Sequence, residues 1–236
     1  MKILIYSDCM SIGPEHLKPG EKYGEILQQK YKKAEVVVMG YSGQTTTEGL
    51  ATIDEAKKQN ADIVILGWGV NDALPRGLRR ETRAKIIRSM YTLRLGQQLR
   101  LAARSLFLNP LEYAMLKLRK PYFYLRSEDT RANFVSMIEG LKLSGTKKII
   151  VLSIAPVLNY RFVHANDYIQ QYNEVLKDLW KLNNVTFLDI YAGFEQHGFE
   201  KCLDTDLFHY SALGHTIAAE KIITEIDSYI NVPQGK

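Results

Sequence analysis

Cysteine is scarce in this chain: only Cys9 and Cys202 occur in 236 residues. So low a count excludes the disulfide framework that staples small secreted domains together. Neither belongs to a Cys-x-x-Cys pair and no His-Glu-x-x-His occurs, so no metal site is indicated and no cofactor is expected. Long apolar runs are missing too. Nothing approaches the roughly 20 consecutive apolar residues of a membrane-spanning helix. The apolar stretch inside Met1–Asp8 is too short for a secretion signal, and no small-residue cleavage site follows at the right distance. With a free thiol at Cys9, these absences lead us to expect a cytoplasmic protein. Internal repeats and low-complexity tracts are absent as well.

What remains is ordinary for a soluble globular domain: 46% hydrophobic and 24% charged residues. The length suits a single domain spanning 1–236 with an insertion. Net charge is +5, but it is unevenly spread. Between Pro75 and Ser127 lie thirteen arginines and lysines, against only Glu81 and Glu112. The remainder of the chain is therefore net acidic.

Short apolar segments alternate with amphipathic ones. Ile3–Tyr6, Val36–Met39, Ile63–Leu66, Lys148–Ser153 and Thr186–Asp189 read as strands. Tyr23–Lys33, Glu48–Gln59, Arg131–Leu143, Tyr168–Leu182 and Ser211–Ile230 read as helices. Tyr41–Thr47 and Gly67–Asp72 read as loops at strand ends. This alternation predicts an α/β fold in three layers, with a mainly parallel five-stranded sheet covered by helices on both faces. Ligands bind such sheets beyond the C-terminal ends of the strands. The stretch at about 75–127 is too long for an ordinary connection. Its leucines and aromatics, interleaved with arginines, predict two or three basic amphipathic helices broken near Asn109-Pro110 and Lys120-Pro121.

Four segments carry candidate chemistry. Ser7-Asp8-Cys9-Met10-Ser11 follows the first strand, and a cysteine at a strand-to-helix turn has backbone N–H groups near its sulfur. Alone, Cys9 reads equally well as a small buried hydrophobe. Gly43, after the second strand, can expose its N–H to a developing oxyanion, or simply serve a turn. Asn71, in Gly69-Val70-Asn71-Asp72, can donate a further hydrogen bond to that oxyanion, or form an Asx turn. Asp72 is expected to order its loop. In Asp206-Leu207-Phe208-His209 a carboxylate three residues before a histidine can fix the imidazole tautomer, leaving the other nitrogen for the nucleophile. Asp and His are also common near helix starts. Each segment is weak alone; their order after successive strand ends is what points to one pocket.

In that order the segments resemble the SGNH hydrolases, also called GDSL lipases and esterases. The family's Gly-Asp-Ser-Leu-Ser opening falls on Ser7-Asp8-Cys9-Met10-Ser11, its second-block glycine on Gly43, its Gly-x-Asn-Asp on Gly69–Asp72, and its Asp-x-x-His on Asp206 and His209. Ala212-Leu213-Gly214-His215 is similar to the family's closing segment. The resemblance covers residues 1–72 and roughly 131–230. Two departures stand out: Ser7 replaces the first glycine and Cys9 replaces the nucleophilic serine.

The resemblance implies ester or thioester hydrolysis by a Cys9–His209–Asp206 triad, with an oxyanion hole from Cys9, Gly43 and Asn71. Asp8, Trp68, Tyr122 and Arg161 are candidate substrate contacts. Expected substrates are small acyl esters, O-acylated glycans or lipid-like esters. An acyltransferase using the same thioester, or a non-catalytic glycan- or lipid-binding protein, are the alternatives. The basic insertion is expected to act as a lid, as a contact with the membrane surface, or as a self-association surface. No nucleic-acid module accompanies the arginines, so nucleic acid is not expected.

Overall fold

A computed structural model describes residues 1–92, 96, 99 and 102–231. Its centre is a sheet of five parallel strands: β1 (Lys2–Asp8), β2 (Glu35–Tyr41), β3 (Ile63–Gly67), β4 (Lys148–Leu152) and β5 (Val185–Leu188), in the order β2-β1-β3-β4-β5. The helices that surround or extend it among the described residues are α1 (Tyr23–Lys30), α2 (Thr46–Ala51), α3 (Ile53–Lys57), α4 (Val70–Ala73), α5 (Arg80–Thr92), α6 (Asn109–Leu118), α7 (Ser127–Leu143), α8 (Ala165–Lys177), α9 (Ile190–His197), α10 (Phe199–Cys202) and α11 (Ala212–Asn231). The expected α/β architecture with a five-stranded parallel sheet is the one observed.

The strands form where apolar and β-branched residues run together, because a sheet covered on both faces buries every side chain. Ile3, Leu4, Ile5 and Tyr6 in β1, and Ile63 to Leu66 in β3, are all essentially inaccessible to solvent. Helical residues such as Leu27, Phe134, Met137, Ile138, Ile169, Leu176, Ile222 and Ile226 complete the core around them. β1 lies between β2 and β3, with Ser7 level with both Gly40 and Gly67. The loops after these three strands therefore leave the same edge of the sheet side by side.

Several boundaries depart from the sequence reading. The expected helix Glu48–Gln59 starts earlier and is divided at Thr52. The Thr52 hydroxyl turns back onto the carbonyls of Glu48 and Gly49 and also meets the Tyr6 hydroxyl at 2.7 Å, a local side-chain bond that competes with helix continuation. The expected loop Gly67–Asp72 contains the start of α4. The expected break at Asn109-Pro110 is not a break. A π-helical turn over Arg104–Leu108 runs directly into α6, and Pro110 occupies its first turn, where a missing N–H costs nothing. The break near Lys120-Pro121 is present, since α6 ends at Leu118. α9 and α10 fall in a stretch that the apolar pattern left unassigned. The part of the insertion at 93–95, 97–98 and 100–101 lies outside the described residues.

The loop after β4 is fixed from below by α8. Asn173 lies in that helix, is buried, and uses both ends of its amide on one residue: Oδ1 accepts from the Ile154 N–H at 2.7 Å and Nδ2 donates to the Ile154 carbonyl at 2.9 Å. Asn173→Ala would strand two buried backbone groups, each costing about 1–3 kcal/mol. Chemical denaturation should show a loss of about 2–6 kcal/mol; a loss below about 0.5 kcal/mol, the range of ordinary surface substitutions, would contradict this role.

Candidate functional site

Cys9 opens a single 3₁₀ turn, Cys9–Ser11, at the end of β1. Asp8 caps that turn. It is 1% exposed, and its carboxylate accepts from the Met10 N–H at 3.1 Å and from the Val70 N–H at 3.2 Å. It thus joins the turn bearing Cys9 to the helix start bearing Asn71. Its expected role as a substrate contact is corrected: Asp8 is buried among backbone donors and does not line the candidate cavity. Burial pushes its pKa up to about 7, against the lowering effect of the Met10 and Val70 N–H groups, with the charge of Asp72 adding to the rise.

Asp72 does similar work in the neighbouring loop. Its carboxylate, fully buried, accepts from the Thr46 N–H and hydroxyl and from the Thr130 hydroxyl. It therefore orders its loop, as the sequence reading expected. α4 begins at Gly69, whose φ of +113° suits glycine and where a Cβ would press on Ile154 at 3.0 Å.

Cys9 is only 7% exposed. Burial raises its pKa to about 12, and the nearby Asp8 carboxylate adds to this. The backbone N–H groups of Gly43 and of Cys9 itself oppose the rise. Near neutral pH the group is a thiol. Ser11 is buried and its hydroxyl is bound to Ser7 and to the Asp8 carbonyl, so it is occupied within the turn.

Asn71 is held at both ends of its amide: Nδ2 donates to the Gln44 carbonyl at 3.0 Å, and Oδ1 accepts from Arg76 Nη2 at 3.3 Å. That fixes which end is the amine and leaves its second N–H for the cavity.

The Asp206–His209 segment is held by the loop after β4. The Leu158 N–H donates to the Leu207 carbonyl at 2.9 Å, and Asn159 Nδ2 to the Asp206 carbonyl at 2.8 Å. Leu207 adopts φ +54°, an uncommon conformation for a non-glycine residue. Its turn folds the Asp206 carboxylate back under its own loop. Oδ1 receives the N–H groups of Phe208 and His209, both at 2.9 Å, and Oδ2 lies 2.6 Å from His209 Nδ1. Partial burial would raise the pKa of Asp206, but these hydrogen bonds outweigh it and hold it below the ordinary carboxylate value. With Nδ1 facing a carboxylate, Nε2 is the nitrogen left for a nucleophile.

These residues share a cavity of about 290 Å³, lined by Cys9, Gly43, Asn71, Asp206 and His209 together with arginines and aromatics. Arg161, an expected contact, lines it. Trp68 does not: it is 1% exposed, packed edge-on to Tyr6 and stacked on Tyr41, and so belongs to the core. Tyr122 does not line it either. Its backbone pairs with that of Arg76, at 2.8 Å in both directions, and its ring lies under the Arg79 guanidinium. Tyr124, two residues on, reaches the cavity instead.

Sequence reasoning singled out the Tyr122–Tyr124 aromatics as pocket candidates, and of these Tyr124 lines the cavity; it missed Arg76, Arg83, Asn159 and Phe162. The placement of Arg76 directly after the Gly69–Asp72 block was the one signal that could have singled it out. A second cavity of about 450 Å³ adjoins, sharing Gly43, Arg83 and Tyr124 and walled by Ala84, Ile87 and Tyr91 of α5. The start of the insertion thus forms the rim of the site.

The geometry agrees with comparisons to known proteins. The GDSL-like lipase/acylhydrolase family model matches residues 8–217. No curated protein matches the sequence significantly. Among solved structures, a lipase/acylhydrolase from Enterococcus faecalis superimposes with a TM-score of 0.67 at 18% identity, covering 97% of this chain and 96% of the other. A catalytic mutant of an acetylxylan esterase from Geobacillus stearothermophilus gives 0.62 at 18% identity, covering 95% and 93%. A lipolytic protein of the G-D-S-L family from Veillonella parvula gives 0.62 at 15%, covering 94% and 96%. At these identities the likeness is one of fold.

Asp8 supplies a test of this electrostatic arrangement. Its folded pKa of about 7 lies above the roughly 3.9 of an unfolded aspartate. Its contribution to stability is therefore complete below about pH 4 and lost as pH rises through about 7. The stability difference between wild type and Asp8→Asn should shift against the wild type across that window. A difference independent of pH would show that Asp8 titrates normally.

Proposed function

As the chain belongs to the GDSL-like lipase/acylhydrolase family, we propose that it hydrolyses a carboxylic ester or thioester through Cys9, with His209 as general base and Asp206 orienting it. The observation that carries this reading is the meeting of Cys9, Gly43, Asn71, Asp206 and His209 in one cavity.

The raised thiol pKa favours one order of events over a resting thiolate–imidazolium pair. His209 Nε2 takes the thiol proton as Sγ attacks the acyl carbon. The carbonyl oxygen becomes an oxyanion held by the N–H groups of Cys9 and Gly43 and by Asn71 Nδ2. As the intermediate collapses, His209 returns the proton to the departing alcohol or thiol, leaving a thioester on Cys9. Water, deprotonated by His209, then attacks the thioester. The carboxylic acid leaves and the thiol is restored. An acceptor alcohol in place of that water would give acyl transfer by the same route.

An O-acylated sugar or a lipid-like ester is the substrate class of this reading, supported by the apolar and aromatic side chains Ile87, Tyr91, Tyr124, Phe162 and Phe208 that stand among the arginines of the two adjoining cavities. Leu106, Phe107, Leu111 and Leu118 stand exposed along the basic insertion. They support reading it as a surface that meets a membrane or a second copy of the chain. No helix among the described residues is long and apolar enough to cross a membrane.

Intact mass spectrometry after mixing with p-nitrophenyl acetate tests the nucleophile. An acetyl adduct should form on wild type and be absent from Cys9→Ala, which should also lose p-nitrophenol release. Undiminished hydrolysis by Cys9→Ala would sink the assignment. His209→Ala should lower turnover by about 10²–10⁴-fold and Asn71→Ala by about 10²–10³-fold.

The thiol state has its own check. Alkylation of Cys9 by iodoacetamide should be slow near neutral pH and keep accelerating toward about pH 12, where its pKa lies. A plateau reached by about pH 8, below the ordinary thiol pKa, would instead indicate a preformed thiolate.

A further inference from the structure

Three arginines line the cavity that holds Cys9: Arg76, Arg83 and Arg161. They are not equivalent. Arg83 is matched by a carboxylate, its Nε lying 3.0 Å from Glu112 Oε1. Arg161 donates from Nε to the Asn159 amide oxygen at 3.2 Å and from Nη1 to that of Asn109 at 3.0 Å. Those neutral acceptors orient its guanidinium at the cavity wall.

Arg76 is the most constrained. It is only 7% exposed. The rings of Tyr124 and Phe162 lie 4.9 and 4.8 Å from its guanidinium carbon, and Nη2 is engaged by Asn71. Nε is buried and has no acceptor. Among the described residues no carboxylate lies within ion-pair distance of Arg76. Burial lowers its pKa only to about 10, so it is charged at neutral pH. Phe162 also lies 5.2 Å from the Arg161 guanidinium carbon, which sets the two cations around one ring. A guanidinium that lines a cavity, is nine-tenths buried, has one donor unsatisfied and no carboxylate within ion-pair distance among the described residues is a group that an anion from outside the chain would complete.

The acids nearby do not supply that anion: the charge of buried Glu112 reaches Arg76 but its carboxylate is paired with Arg83. Asp206 spends both oxygens on His209 and on backbone N–H groups. The oxyanion hole is no substitute either, since it serves an atom that carries charge only during reaction.

We propose that the ester processed at Cys9 bears a second, non-reacting anionic group, a carboxylate or a phosphate, seated on Arg76 and Arg161. This rests on the hydrolase reading for the word ester. The anion site itself follows from the arginines alone. The flanking rings of Tyr124 and Phe162 suit a planar or ring-shaped neighbour of that anion, as an acidic sugar or an aryl acid would provide.

Two measurements separate the anion site from the chemistry. In the first, inorganic phosphate and acetate are titrated calorimetrically into wild type, Arg76→Gln, Arg161→Gln and Arg161→Lys. At least one anion should bind wild type and be weakened about tenfold or more by Arg161→Gln, as loss of a charge-assisted hydrogen bond implies. Arg161→Lys should recover part of the loss. Preference for phosphate or for acetate then identifies the anion class. Binding of neither anion, or binding indifferent to both glutamine variants, overturns the proposal. Should Arg76→Gln fail to fold, the two Arg161 variants still decide.

In the second measurement, kcat/KM is compared for matched neutral and anionic esters. p-Nitrophenyl butyrate is paired with mono-p-nitrophenyl succinate, and phenyl acetate with 4-acetoxybenzoate. These place the carboxylate on the acyl and on the alcohol side. One anionic member should be preferred, and Arg161→Gln should erase that preference through KM. Equal use of neutral and anionic esters in both pairs overturns the proposal. Anion binding that Arg161→Gln weakens, with no ester cleaved at all, would uphold the anion site and sink the hydrolase reading instead.

Discussion

The carboxylate of Asp8 fastens the ends of the two central strands to each other, and the candidate site depends on that fastening. One oxygen fixes the turn that presents Cys9, and the other fixes the start of the helix that presents Asn71. Asp72 repeats the device between α2, α4 and α7. Both carboxyls are buried and lack an ion-pair partner among the described residues. Hydrogen bonds from backbone and hydroxyl groups compensate some of the cost of burial. The raised pKa of Asp8 reflects what is left uncompensated. The parallel sheet supplies the rest of the alignment, because β1 has neighbours in register on both sides.

The site's polarity follows from how little water reaches it. The same burial that keeps Cys9 a thiol leaves Arg76 charged but short of an acceptor. A thiol of this kind is quiet until a base is brought to bear on it, which suits a nucleophile that should not react at random. The arginines give the far side of the cavity a positive field, and desolvation strengthens it. Asn71 links the two regions physically: its carbonyl oxygen is bound by Arg76 while its amine donates to the Gln44 carbonyl beside Gly43. On the proposed reading, a ligand at Arg76 and the donors offered to the reacting carbonyl would be joined through this one side chain.

Much of this was legible in the residues. Period and composition located all five strands to within a few residues, since strands buried on both faces need continuous apolar runs. Cys9, Gly43 and Asn71 were legible as motifs at strand ends, and Asp206 and His209 as a motif just before the last helix. Trp68 and Asp8 were read as substrate contacts from their place at strand ends and Tyr122 from its place among the insertion's aromatics, yet none of the three lines the cavity. Position beside a strand end is visible in sequence, but whether a side chain turns toward solvent or into the core is not. Trp68 turned inward because Gly49 leaves room for its indole, whose ring atoms lie about 3.0 Å from where a Cβ would stand.

Local periodicity and strand succession dictate the class of fold and the order in which the reactive residues arrive at one edge of the sheet, and both can be read along the chain. The basic character of the insertion can be read there as well. Which arginines matter emerges only once the chain is folded. Arg76 and Arg83 open the insertion while Arg161 follows the fourth strand, and their surroundings differ: Arg83 meets a carboxylate, Arg161 meets amide oxygens and the Phe162 ring among its contacts, and Arg76 meets the Asn71 amide oxygen and two aromatic faces. Charge is a property of the residue, but whether that charge is already satisfied is a property of the fold.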